Sequence, residues 1–231
     1  MIRFPHIATL AVAAFAFASV ASAQMAVGPQ DWKEGTHYFV IDPPVPTTSG
    51  DKIEVTEVFS YGCPACNFAY PHIDKLKKDL PPNAVMNFVP AAFNPAEDWP
   101  MLQRAYLTAK ALGIAEKSHD AVFDAVWKGG ELETMDKATN RPKQPLPSIE
   151  DAAKFYSKFG VKPEDFLATA NSFTINTRIK QADAYVKAAG VEQTPTIVVN
   201  GKYRLTVNSA GDYDKAEQLV LFLIHKESGA K

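Results

Sequence analysis

The chain has 231 residues, 24 basic and 26 acidic, for a net charge of −2, and 46% of its residues are hydrophobic. A slightly acidic balance argues against nucleic acid or an anionic membrane as the main partner. With no internal repeat and no low-complexity tract, a soluble globular protein is expected.

Residues 1–23 read as a secretory signal. Arg3 provides the positive start, Ile7 to Val20 is an uncharged apolar run of 14 residues, and Ala21-Ser22-Ala23 has the small-x-small cleavage pattern. That run is shorter than the roughly 20 residues needed to span a bilayer, so a retained anchor is the weaker alternative. Cleavage after Ala23 leaves 208 residues with 23 basic and 26 acidic side chains, a net charge of −3. The residue directly after the cleavage site is Gln24, not a cysteine, so no lipid attachment is expected there.

Along the mature chain, Thr36 to Ile41 predicts a short strand ended by Pro43-Pro44, and Asp51 to Tyr61 predicts a longer one. Helical spacing begins at Cys66, with Ala69, Tyr70, Ile73 and Leu76 on the same face and Pro71 placed to kink the helix. Ala84 to Val89 predicts the next strand. From about Glu97 to Gly190 the pattern is four or five helices with no convincing strand. Leu102, Tyr106 and Ala109 mark one face and Val122, Phe123, Val126 and Trp127 a second. Ser148 caps a helix over Ile149 to Phe159, with Gly160 placed to end it, and Ile175, Ile179, Ala182 and Val186 mark a long helix up to Gly190. Glu131 to Pro147, polar and rich in proline, is expected to be an exposed loop. Strands over Thr196 to Val199 and Tyr203 to Val207 flank the turn signal Asn200-Gly201, and Asp212 to Lys226 closes the chain as a helix burying Leu219, Val220 and Leu223. The first and last pieces should form one sheet, with the helical block inserted between them.

The only cysteines are Cys63 and Cys66, spaced Cys63-Pro64-Ala65-Cys66 between a strand and a helix. Exported proteins use disulfides to close long loops, and a bridge across two residues closes almost none. Such a pair is better suited to exchange. Cys63 sits where a helix begins, with Pro64 at the first position, so free amides and the helix dipole favour its thiolate. Cys66, one turn in on the apolar face, should be buried and act as the resolving thiol. Two other readings compete. Half of a zinc site lacks a second cysteine pair, and His37, His72, His119 and His225 have no ligand spacing, so no metal is expected. An inert bridge conflicts with the loop argument.

Phe59-Ser60-Tyr61-Gly62-Cys63-Pro64-Ala65-Cys66 resembles the active-site segment of the DsbA family of thioredoxin-fold thiol oxidases. Gln193-Thr194-Pro195-Thr196-Ile197-Val198-Val199-Asn200-Gly201-Lys202-Tyr203 resembles that family's cis-proline loop and following hairpin, and Ala111-Leu112-Gly113-Ile114 and Asn171-Ser172-Phe173 resemble parts of its helical insertion. The resemblance implies an α/β thioredoxin-like fold, a central mixed sheet flanked by helices with an inserted all-helical domain. Its parts would be residues 24–96 and 191–231 for the thioredoxin-like domain and 97–190 for the insertion. It also implies a cis Thr194–Pro195 bond beside the cysteines, with the Thr194 backbone free to pair with an extended substrate.

Glu57 shares strand parity with Ile53, Val55 and Phe59, and lies six residues before Cys63, where DsbA-like proteins carry a buried acid that could relay a proton for Cys66. The lysine that often accompanies that acid has no clear counterpart, and Phe88 falls near its place. Strong oxidants of the family usually carry His at the position of Ala65 and often Val at that of Thr194. Losing the His should stabilise the disulfide, giving a potential below the roughly −120 mV of DsbA and toward the about −270 mV of thioredoxin.

By the same resemblance the protein is a periplasmic monomer that oxidises reduced or unfolded exported proteins. Its electrons would pass to a DsbB-like quinone-linked membrane oxidase, with no cofactor beyond the Cys63–Cys66 disulfide. A reductase or isomerase of the same fold, or a chaperone or metal carrier using the cysteines only for binding, are the alternatives. The bland assignments are Trp99 and Trp127 to packing of the helical block, His72 to the surface, and Lys75, Lys77 and Lys78 to a solvated helix face.

Overall fold

Ile53–Phe59 (β2), dense in β-branched and aromatic residues, is the strand around which the sheet assembles. Helix α1 (Pro64–Asp79) follows it after the cysteine turn, and β3 (Ala84–Pro90) returns parallel to β2 in a strand–helix–strand unit. The structure, a computed structural model, describes Met1 and residues 31–229, so the expected signal and its cleavage after Ala23 lie outside the described residues. Two strands near the C-terminus complete the sheet from the other side: β6 (Thr196–Val199) pairs antiparallel with β2, and β7 (Tyr203–Leu205) with β6. With β1 (Phe39–Val40) on the edge, the order is β1-β7-β6-β2-β3.

Between β3 and β6 lie five helices: α2 (Trp99–Ala111), α3 (Ala115–Trp127), α4 (Ile149–Ser157), α5 (Pro163–Ala170) and α6 (Phe173–Ala188). A short α7 (Val207–Ala210) and the long α8 (Tyr213–Gly229) end the chain. Ser148 caps α4 as expected, in a reciprocal box with Asp151. Helix α1 runs through Pro71 without interruption.

Four expectations needed correction. The strand foreseen over Thr36 to Ile41 shrinks to two residues, because hydrogen bonds from the His37 amide to Lys33 and from the Gly35 amide to Tyr38 curl the preceding segment into a turn. The strand foreseen to Val207 stops at Leu205, where Thr206 caps α7 in a box with Ser209. Residues 131–147 are less uniformly exposed than their composition suggests. Leu132 is fully buried in the helical core, and Met135–Asp136 (β4) and Arg141–Pro142 (β5) pair as a small hairpin whose turn is tied by Asp136 to the amides of Ala138 and Thr139. Finally, all seven residues of β2 are buried, so strand parity does not single out Glu57: helices cover both faces, and Glu54 and Thr56 are equally enclosed.

Three cores result. Ile53 and Val55 meet α1 and α8, Val58 meets α6, and Phe59 enters a large apolar cluster shared with the helical block. The β6–β7 turn is held by Asn200 and Gly201, both with positive φ (52° and 67°), as a tight right-twisted hairpin requires. A side chain at Gly201 would bring a Cβ to 2.0 Å from the Val45 carbonyl oxygen. Gly201→Ala is expected to cost about 2 kcal/mol or more in denaturant unfolding, because backbone strain and a backbone clash coincide.

Candidate active site

Cys63 is the N-cap residue of α1, with extended backbone (φ −88°, ψ 120°), and Pro64 occupies the first helical position. It is 6% exposed and Cys66 is 0% exposed; both are free thiols. The Cys63 thiol is lowered to about 6, first by the hydrogen bond it accepts from the Cys66 thiol; burial opposes this, and contacts from Thr194 and the Cys66 and Ala65 amides add to it. Cys63 Sγ lies 3.4 Å from the Thr194 carbonyl oxygen, a bond that only the protonated thiol can donate. Once the proton leaves, the Thr194 hydroxyl, whose oxygen is buried without a partner, is free to turn toward the thiolate. Cys66 is driven well above the usual thiol range, chiefly by burial and then by its bond to Cys63 and the charge of Glu57. The two sulfurs are thus held far apart in proton affinity.

Glu57 is 2% exposed and faces Phe88 across the parallel ladder and Ile197 across the antiparallel one. Burial, with a smaller contribution from Cys63, raises it to about 8, so it carries its proton at neutral pH. Glu54, three residues earlier, shows why burial alone does not decide the outcome. Burial raises it too, yet Ser49, Thr48 and Thr56 donate hydrogen bonds at 2.6, 2.9 and 3.0 Å, and these win, leaving its pKa lowered.

Thr194–Pro195 is a cis peptide. Pro64 and Ala65 are exposed, and Phe68, one turn further along α1, is 72% exposed, an apolar surface that the sequence reading missed. The two tryptophans do more than fill the helical block. Trp127 Nε1 donates to the Tyr61 carbonyl at 2.8 Å, and the Trp99 ring lies so close to Gly62 that an added Cβ would come within 2.9 Å. Both therefore brace the turn that carries Cys63. His119 was also missed as part of this wall: its Nδ1 lies 2.8 Å from the Tyr61 hydroxyl. A contact between residues 58 apart leaves no local signal in a sequence. His72 is exposed and stacked on Tyr213, with ring centroids 4.0 Å apart. The lysine cluster is less free than a solvated face, because Lys75 pairs with Glu217 of α8 and Lys77 with Glu116 of α3.

A strand, a turn with a polarised thiol pair and a helix, set against a cis-proline loop, define the class of thioredoxin-fold dithiol oxidoreductases. The family model described as Thioredoxin matches residues 51–219. The thiol:disulfide interchange protein DsbA of Pseudomonas aeruginosa strain PAO1 is 34% identical over 206 residues, covering 89% of this chain and 90% of the relative. Its namesake from Azotobacter vinelandii is 32% identical over 205 residues, covering 89% of each. Among solved structures, Pseudomonas aeruginosa DsbA superposes with a TM-score of 0.73 at 34% identity (87% of this chain, 96% of that one). Xylella fastidiosa DsbA gives 0.74 at 31% (84% and 97%). The chain belongs to the DsbA family of thiol:disulfide oxidoreductases.

Two outcomes follow from the proton affinities. Alkylation of the reduced protein should modify Cys63 with a midpoint near pH 6 while Cys66 stays unreactive, as mass spectrometry of the labelled peptide can read. Because Glu57 is raised from 4.5 to about 8, the native state keeps a proton that the unfolded chain has released between those values. Stability should therefore fall as pH rises through that window, and Glu57→Gln should remove the decline, a gain of on the order of a few kcal/mol at pH 8 by denaturant unfolding.

Proposed function

We propose that this enzyme introduces disulfides into exported proteins, with Cys63 as the exchanging sulfur and Cys66 as its partner. The observation that carries the reading is the separation in proton affinity between the two thiols. A client thiolate attacks the Cys63 sulfur of the oxidised pair, the Cys63–Cys66 bond breaks, and Cys66 leaves with the electron pair and takes up a proton. The second client thiolate attacks the client sulfur of the mixed disulfide and Cys63 departs as a thiolate. The client loses two electrons and the pair gains them.

Glu57, protonated at neutral pH, is the acid that serves Cys66. Thr194 offers its main chain to an extended client beside Pro195, and Pro64 and Ala65 present a small apolar surface that Phe68 extends. Main-chain recognition accommodates many sequences, which suits reduced, unfolded clients. A quinone-linked membrane oxidase of the DsbB kind would restore the disulfide, with the enzyme acting as a monomer in the periplasm. The pair carries the electrons itself.

The lowered Cys63 affinity sets the direction and limits its strength. At pH 7, moving a thiol from 9 to about 6 favours the dithiol form by about 1.4 kcal/mol, or about 30 mV for a two-electron couple. The Ala65 side chain, exposed in the motif, adds no donor to the thiolate beyond the residue's own amide. Equilibration with glutathione should give a potential between roughly −270 and −120 mV, and Ala65→His should raise it. A value at or above the −120 mV end would refute the assignment of Ala65. Cys63→Ser should abolish oxidation of reduced ribonuclease, whereas a carrier that only binds through the cysteines would retain client protection. Trapping the thiols in cells with an alkylating tag should find the pair largely oxidised; a largely reduced pair would mean reductase or isomerase action.

A further inference from the structure

Behind the redox pair lies a wall of rings with one imidazole in it. His119, on α3, touches Phe59, Tyr61, Phe88 and Phe123, with ring centroids 4.9 to 5.4 Å away. Its Nδ1 meets the Tyr61 hydroxyl at 2.8 Å, and no other hydrogen bond holds the ring among the described residues. On its other side it lines a groove of about 650 Å³ that runs along β3 between α1, α2 and α3. The imidazole is partly exposed in that groove, yet protein surrounds it densely enough, with Lys77 nearby, to lower it to about 4. It is neutral wherever the enzyme works, with one nitrogen to accept a proton and one to give.

Tyr61, 1% exposed, lies two residues before Cys63 and packs edge-on against Phe59 at 5.0 Å. In the parallel ladder Glu57 stands beside Phe88, whose ring centroid is 4.9 Å from that of His119, so the carboxyl borders the same wall of rings. Glu57 is sealed at 2% exposure and Cys66 at 0%. A sealed acid that gives up its proton once per turnover needs a route to water.

We propose that Tyr61 and His119 form that route, with His119 as the positioning residue that opens it to the groove along β3. The proposal rests on the roles given above to Cys63, Cys66 and Glu57. When Cys66 leaves as a thiolate, Glu57 gives it a proton and becomes a carboxylate. Tyr61 then passes its hydroxyl proton toward Glu57, through a bridging water, and takes a replacement from His119 Nδ1. Water in the groove gives a proton to Nε2, so the imidazole stays neutral and has changed tautomer. Reoxidation runs the same transfers in reverse, which restores the tautomer. One proton enters per client oxidised and one leaves per reoxidation, with no added oxidant.

Stopped-flow oxidation of the reduced full-length enzyme by oxidised glutathione at pH 7 tests the route, because Glu57 must pass its own proton outward before it can take the one on Cys66. His119→Phe fills the space without a nitrogen, and His119→Asn keeps a hydrogen-bonding group for Tyr61 but cannot exchange one ring nitrogen's proton for the other's. Both should slow this oxidation on the order of a hundredfold, with the alkylation midpoint of Cys63 unchanged. Tyr61→Phe, which removes a single oxygen, should do the same and serves if the His119 variants do not fold. A wild-type rate in His119→Asn or Tyr61→Phe would overturn the route. Turnover persisting in Cys63→Ser would instead overturn the reading of the cysteine pair on which the route rests.

Discussion

The hydrogen bond from the Cys66 thiol to the Cys63 sulfur is the interaction on which the site depends. It holds negative charge on one sulfur and withholds it from the other. The first turn of α1 supports it, because an N-cap residue faces amides that have no partner inside the helix. Pro64 at the first position leaves the amides of Ala65 and Cys66 as the donors that matter. Burial works against the charge on Cys63 and is outweighed. On Cys66 and Glu57 nothing outweighs it.

That contrast explains how one strand can carry two buried glutamates with opposite behaviour. Glu54 is surrounded by hydroxyls and an amide and stays charged as a structural clamp on the segment that includes Thr48 and Ser49. Glu57 faces Phe88 and Ile197 along the sheet, and burial raises its proton affinity. Both side chains are closed to solvent, and two things separate them: the donors within reach of Glu54 and the denser protein around Glu57.

Much of the fold was legible because its signals are local. The β-branched run of β2, the helix after Cys63, the Ser148 cap and the Asn200-Gly201 turn each rest on neighbours a few residues apart. The helix start at Cys63 and the burial of Cys66 were legible for the same reason, whereas the cis Thr194–Pro195 bond came from resemblance alone and strand parity did not single out Glu57. What escaped was tertiary. Leu132 is anchored in a core that its proline-rich surroundings conceal, and β2 is covered on both faces by helices from distant parts of the chain. Tyr61 finds its partners in Trp127 and His119, 66 and 58 residues away. Short-range periodicity carries no information about such pairs.

The grip of Trp127 and Trp99 on residues 61 and 62 has a consequence for how the helical block should be regarded. It is built into the middle of the chain like an accessory, yet it supplies the rear wall of the redox pocket and satisfies a backbone oxygen there. Excising it to leave a minimal thioredoxin would strip that oxygen of its donor and open Phe59, Tyr61 and Cys66 to water. The insertion is therefore not detachable: the redox turn borrows its rear support from residues 37 and 66 positions away in the chain.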